Sequence, residues 1–287
     1  MLAYIADLFN LKNLLITLLI FLPLERLLPM HPAQKIFRKS WKNDLVYAVF
    51  NGLIIQAGLV VVILGALLVR QRVPQLFRAA LSGQPLSLQF VEVLVIADLG
   101  FYAAHRMFHR IPFLWRIHQI HHSIEHLDWL AGTRVHPADQ IITKGVSLAP
   151  IFILGYSPEA VAAFGLLYQW QSIFLHSNLR IGFGPLRLLV ASPKFHHWHH
   201  CNEHAAHDKN FAGQLPLLDV LFGTLHLPAG MVPQSYGIDQ KIPQSFIPQL
   251  LHPLMPQQLK WAPMAMSPPM RTSAAMIPES RTRPDMA

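Results

Sequence analysis

Three short segments place imidazoles at spacings that suit metal binding: His105-Arg-Met-Phe-His109, His118-Gln-Ile-His121-His122 and His196-His-Trp-His199-His200. Intervals of three and four residues return to one side of a helix about one turn apart, so each segment offers two or three nitrogen ligands from a rigid element. Histidine makes up 17 of the 287 residues. At that frequency a specified H-x-x-H-H triple arises about 0.06 times by chance in such a chain, yet the pattern is present at His118 and again at His196. Eight imidazoles exceed what one ion takes, so the pattern points to a pair of metal ions. Neutral imidazole suits iron, zinc and copper alike, and ligand type alone does not choose among them.

Such ligands need helices to carry them. The chain is 52% hydrophobic and 13% charged, with a mean hydropathy of +0.33, more apolar than an ordinary soluble domain. Residues 45–69 contain no charge and are long enough to cross a hydrocarbon core with some tilt. Residues 13–30 form another apolar run, a span or an interfacial helix. Residues 86–104 form a third, carrying Glu92 and Asp98, acids that are costly in lipid unless they face protein. Apolar pieces at 146–155 and 159–176 flank Gly155-Tyr156-Ser157-Pro158, a helix break that predicts a hairpin. The expectation is an all-α, multi-pass integral membrane helical bundle, with the histidines on one membrane face so that segments before 141 and after 176 can share a site. Arg26, Lys35, Arg38, Lys39 and Lys42 lie between the first two runs, against Arg70, Arg72 and Arg78 between the next two. This bias puts the histidine-rich helix ends in the cytoplasm. Residues 1–85 read as N-terminal transmembrane helices and 86–252 as the domain that carries the histidine motifs. Residues 253–287, rich in Pro and Met, read as a disordered tail.

The net charge of +8 is scattered around apolar segments and forms no recognition motif, so nucleic acid is not an expected partner. Anionic headgroups suit it better. The single cysteine, Cys201, supplies neither an internal disulfide nor a thiolate metal site.

The order of motifs resembles the fatty acid hydroxylase/sterol desaturase superfamily of integral-membrane non-haem di-iron enzymes. Its elements here, over roughly residues 90–226, are Asp98 and Tyr102 before HRMFH, then WRIHQIHHS, RVHPAD, FLHSN, SPKFHHWHH, DKNFAG and LLDVLFGT. The resemblance implies two iron ions and gives ligand roles to His105, His109, His118, His121, His122, His196, His199 and His200, with His176 of FLHSN as a further ligand. Some relatives carry another histidine where this chain has Ser172, which leaves the last coordination place to His136 of RVHPAD, to Asn178 or to water.

Asp98 lies two helical turns before His105, on the same side, and is expected to hydrogen-bond the far nitrogen of a ligand imidazole or to be a buried polar residue satisfied by another helix. Asp208 and Asp219, also matched by the resemblance, could orient ligands or cap helices. His197, in a variable slot of the third motif, points away from the ligand face. His204 and His207 are expected to hydrogen-bond the site or to be solvated.

The function implied by the resemblance is O₂-dependent hydroxylation or desaturation of a membrane lipid such as a fatty acyl, sterol or ether lipid. No flavin fingerprint, haem-attachment motif or iron–sulfur cysteine set is present, so electrons would come from an external partner of reductase, ferredoxin or cytochrome type. Two other readings accommodate histidines among apolar segments: a membrane metal (zinc or iron) transporter and a structural zinc-binding membrane protein.

Overall fold

The computed structural model describes residues 11–256, so most of the Pro/Met-rich tail lies outside the described residues. It is helical, with no strand among those residues and two isolated antiparallel bridges, Pro29 to Leu179 and Cys201 to Tyr236. The helices are α1 (Leu11–Leu27), α2 (Trp41–Arg70), α3 (Gln75–Ser82), α4 (Leu86–Arg110), α5 (Pro112–His122), α6 (Pro137–Leu154), α7 (Pro158–His176), α8 (Pro193–His199), α9 (Leu217–Leu221) and α10 (Phe246–Leu251). By length and composition α2 and α4 could each cross a membrane. Val61, Leu64 and Leu68 of α2 are exposed, as an apolar solvent would favour.

α6 packs against both α2 and α4, and α7 packs on α4. The approach of α4 to α6 is close: a Cβ on Gly100 would stand 2.8 Å from Ser147 Cα. Small residues at such a crossing let two backbones meet. The break between α6 and α7 is built from its sequence. Gly155 takes the left-handed conformation (φ 86°) that ends α6. Ser157 then accepts from the Ala160 amide and Pro158 opens α7. α6 starts nine residues earlier than its apolar piece at 146, because Asp139 and Thr143 turn inward and are buried.

The architecture brings helix ends together. His105 and His109 lie in the last turns of α4, His121 and His122 end α5, and His176 ends α7. The third motif forms α8 and its C-terminal residue His200. The C-terminal end of a helix carries partial negative charge, so four helices direct ends that favour a cation toward one region.

The segment between α1 and α2 closes over that region. Arg38 holds Asp128 through Nε and Nη2 at 2.6 and 2.7 Å and Asp44 through Nη1 at 2.6 Å, while Arg134 holds the other oxygen of Asp44 at 2.5 Å. All four side chains are buried. Glu25, at the end of α1, accepts from the amides of Trp129 and Asn178. Residues 25–44 therefore support the loop that follows α5.

Candidate metal centre

Nine histidines gather into two adjacent groups whose donor nitrogens lie within 4.8 Å of one another in each. One comprises His105, His109, His118, His122 and His199; the other His121, His176, His196 and His200. The groups touch: the rings of His122 and His200 stack at 4.6 Å. Both H-x-x-H-H motifs divide the same way. His118 and His122 enter the first group and His121 the second, whereas His196 and His200 enter the second and His199 the first. On a helix with about 100° per residue, positions i and i+4 lie roughly 40° apart, while i+3 lies about 60° to the other side of i. A pair at i and i+4 thus enters one group while i+3 reaches the other.

The far nitrogens fix which atom carries the lone pair. Nδ1 of His105 donates to the Phe211 carbonyl at 2.9 Å, that of His121 to Arg134 at 3.0 Å, that of His176 to Ser172 at 2.7 Å and that of His199 to Lys209 at 2.7 Å. His118 Nδ1 donates to Asp139 at 2.5 Å, and His109 Nδ1 lies 3.3 Å from Asp208. With the proton on Nδ1, each neutral ring presents a bare lone pair at Nε2. His105 and His118 face each other through Nε2 at 3.1 Å, and His121 and His176 at 3.0 Å. Two acceptors at that distance repel unless a cation lies between them. Nε2 of His109 and of His199 is buried with no hydrogen-bond partner among the described residues, which fits the same conclusion.

Burial and neighbouring imidazoles hold His121, His122, His196 and His200 well below the ordinary histidine range, and burial pushes His199 down to about 3. They are neutral at physiological pH, the form that binds metal.

Several expectations are corrected. Asp98 contacts no imidazole; its carboxylate accepts from the amides of Gly213, Gln214 and Leu215 at 2.7 to 2.9 Å. The loop 211–215 comes between Asp98 and the histidines, so Asp98 supports the loop whose Phe211 carbonyl holds His105. His136 stands outside both groups. Its Nδ1 accepts from the Ala138 amide at the start of α6 and its Nε2 donates to the Leu250 carbonyl, leaving no nitrogen for a metal. Asn178 is paired with the backbone of His31. Asp219 accepts from the amides of Phe211 and Ala212 and organises the same loop from its other side.

The carboxylate that orients a ligand imidazole most closely is Asp139, which the sequence reading passed over. The available signal was its place in RVHPAD, in the first turn of a proline-started helix, but its partner His118 lies 21 residues away. The Arg134 carbonyl on His121 was equally hidden. Gly132 sits against the second group: a Cβ there would stand 2.8 Å from His176 Cγ. Gly132→Ala is therefore expected to displace His176 and lower the metal held by the second group. Metal analysis of the purified variant checks this.

A small cavity of ≈ 60 Å³ opens onto the first group, with His109, His122 and His199 on its wall and His207, Asp208 and Asp239 toward the outside. On the side of the helices, the Phe101 ring lies 5.3 Å from His105 and packs on Tyr168 at 6.2 Å. The centre thus has a polar opening and an aromatic, helix-lined flank.

Residues 90–224 match the family described as fatty acid hydroxylase. The chain is 34% identical over 170 residues to an ornithine lipid hydroxylase of Rhizobium tropici, covering 59% of this chain and 51% of that protein. It is 35% identical over 150 residues to the alkylglycerol monooxygenase of Homo sapiens, covering 50% of this chain and 32% of that protein. A cholesterol 25-hydroxylase-like protein of Danio rerio is 29% identical over 136 residues, 46% of this chain and 53% of the relative. The chain thus spans about half the length of the first of these relatives and about a third of the second. No solved structure matches it.

Proposed function

We propose, because residues 90–224 match the fatty acid hydroxylase family, that the chain is a di-iron, O₂-dependent oxidoreductase that hydroxylates or desaturates a membrane lipid with electrons from an external donor. The observation that carries this reading is the pair of adjacent histidine groups whose Nε2 lone pairs converge. His105, His109, His118, His122 and His199 would hold one iron, and His121, His176, His196 and His200 the other. The bound irons would supply activation of O₂ toward a carbon–hydrogen bond. A group of five imidazoles supports iron over structural zinc, which favours four tetrahedral ligands.

The chain's own residues orient the ligands, exclude water and present the substrate. Nδ1 acceptors on Phe211, Arg134, Ser172, Lys209 and Asp139 fix the rings. The apolar flank through Phe101 and Tyr168 suits an approach by a hydrocarbon chain, while the small cavity beside Asp208 suits water-sized species. Relatives named for ornithine lipid and alkylglycerol substrates support a lipid, of fatty acyl, sterol or ether type. The basic loop between α1 and α2 shares its end of the bundle with the histidines and supports a cytoplasmic site. A transport reading fits less well, since the histidines close around two points at buried helix ends instead of lining a path.

Lipid extracts of cells with and without the protein, compared by mass, test the proposal. A lipid gaining about 16 mass units, or losing about 2, is the expected result. Zinc uptake into vesicles with no lipid oxidation would contradict it.

A further inference from the structure

The proposed oxidation needs electrons, and the structure offers a place for them to enter. The balance for hydroxylation is a C–H bond plus O₂, two electrons and two protons, giving an alcohol and water. A cavity of ≈ 910 Å³ lies at the histidine end of the bundle, lined by residues that include His31, Lys35, Phe37, Lys39, His126 and Tyr236. It adjoins a smaller hollow of ≈ 390 Å³ that adds Lys42. Glu125 is the only acidic side chain lining either, and Lys39 holds it at 2.9 Å. Arg38 also lines both hollows, but Asp44 and Asp128 compensate its charge. Lys35, Lys39 and Lys42 thus give the rim a net positive charge, and Phe37 is 71% exposed among them.

From the wall of this cavity a hydrogen-bonded path runs to the backbone beside the second histidine group. His197 Nε2 donates to the Ser177 carbonyl at 2.9 Å, so its Nδ1 is an acceptor and takes the Tyr236 hydroxyl proton at 2.8 Å. The same oxygen accepts from His31 Nε2 at 2.7 Å. Ser177 follows His176 and His197 follows His196, so the path meets the backbone beside two members of the group.

We propose that this cavity docks an acidic one-electron carrier protein, and that His31, Tyr236 and His197 couple it to the histidine group of His121, His176, His196 and His200. The inference rests on the di-iron reading above. The carrier is oxidised by one electron in each of two encounters, and the three coupling residues end each transfer unchanged. An anionic lipid headgroup also suits lysines, but it has no use for a path leading from the cavity to the metal centre. Opposite charge across the interface would speed and strengthen docking at low salt and lose its effect at high salt.

The test uses the full iron-loaded chain in nanodiscs of zwitterionic lipid, with an acidic plant-type [2Fe–2S] ferredoxin as probe. Lys35→Glu with Lys39→Glu should weaken ferredoxin binding about tenfold or more at low salt, with the difference shrinking at high salt. Tyr236→Phe should leave binding intact but slow anaerobic ferredoxin re-oxidation at saturation by about tenfold, at unchanged iron content. If Tyr236→Phe loses iron, His31→Gln, which breaks the path farther from the ligands, decides by the same re-oxidation readout. Ferredoxin affinity indifferent to the lysine reversals, no binding by the wild type, or a re-oxidation rate untouched by breaking the path would overturn the proposal. So would loss of affinity for phosphatidylglycerol in place of ferredoxin. Wild-type turnover driven by dithionite separates the two readings. Lipid product with dithionite but no effect of the variants sinks only the docking proposal, whereas no product with dithionite removes the di-iron reading beneath it.

Discussion

Replacing His121 with alanine is expected to abolish lipid oxidation and to remove one of two metal ions. His121 is buried, its Nε2 lies 3.0 Å from His176 Nε2, and its Nδ1 is held by the Arg134 carbonyl at 3.0 Å. Its loss leaves three imidazoles in a group that has four. Removing a residue that merely orients a metal ligand costs about 10–100-fold in affinity or activity, so removing a ligand itself should exceed about a hundredfold. The neighbouring group is complete without His121, and about one ion per chain should remain. Product analysis and metal content, measured on the same preparation, check both parts. Full turnover with only a lowered melting temperature would show that the histidine is structural.

Asp44→Ala should produce the largest loss of stability. Asp44 is fully buried and its two oxygens bind Arg38 and Arg134. Truncation leaves Arg134 buried without a carboxylate and Arg38 with Asp128 alone. Breaking a buried ion pair from one side costs about 3–5 kcal/mol, because a charge remains without compensation. The effect should reach the metal as well, since Arg134 supplies the carbonyl on His121. Thermal unfolding in detergent should show a marked drop, together with weaker metal retention against a chelator. An unchanged melting temperature would mean that the network contributes little.

These two residues mark the division between what the sequence discloses and what it hides. His121 belongs to a motif whose spacing follows from helix geometry, so it was visible without any tertiary information. The turn at Gly155–Pro158 was visible for the same reason, since left-handed glycine, serine cap and proline start are local chemistry. Asp44 and Arg134 are 90 residues apart, and no local pattern announces their pairing. Asp139 on His118 is hidden in the same way. Asp98 shows how a correct local inference can mislead: it does share a buried side of α4 with His105, but a loop more than a hundred residues downstream takes its carboxylate. His136 lost its ligand role to the start of α6, where a proline-led helix needs an acceptor for its first amides.

The division of each H-x-x-H-H motif between two histidine groups becomes evident only when both motifs are seen together. Residues i and i+4 share one group and i+3 crosses to the other, in opposite senses for the two motifs. This arrangement locks the two sites to each other, so the ions are expected to be bound as an adjacent pair.

Elemental analysis of the full chain, purified anaerobically in detergent, tests that expectation most directly. About two irons per chain are expected in the wild type and about one in His121→Ala. A single zinc per chain, or an iron content unaffected by the substitution, would contradict it.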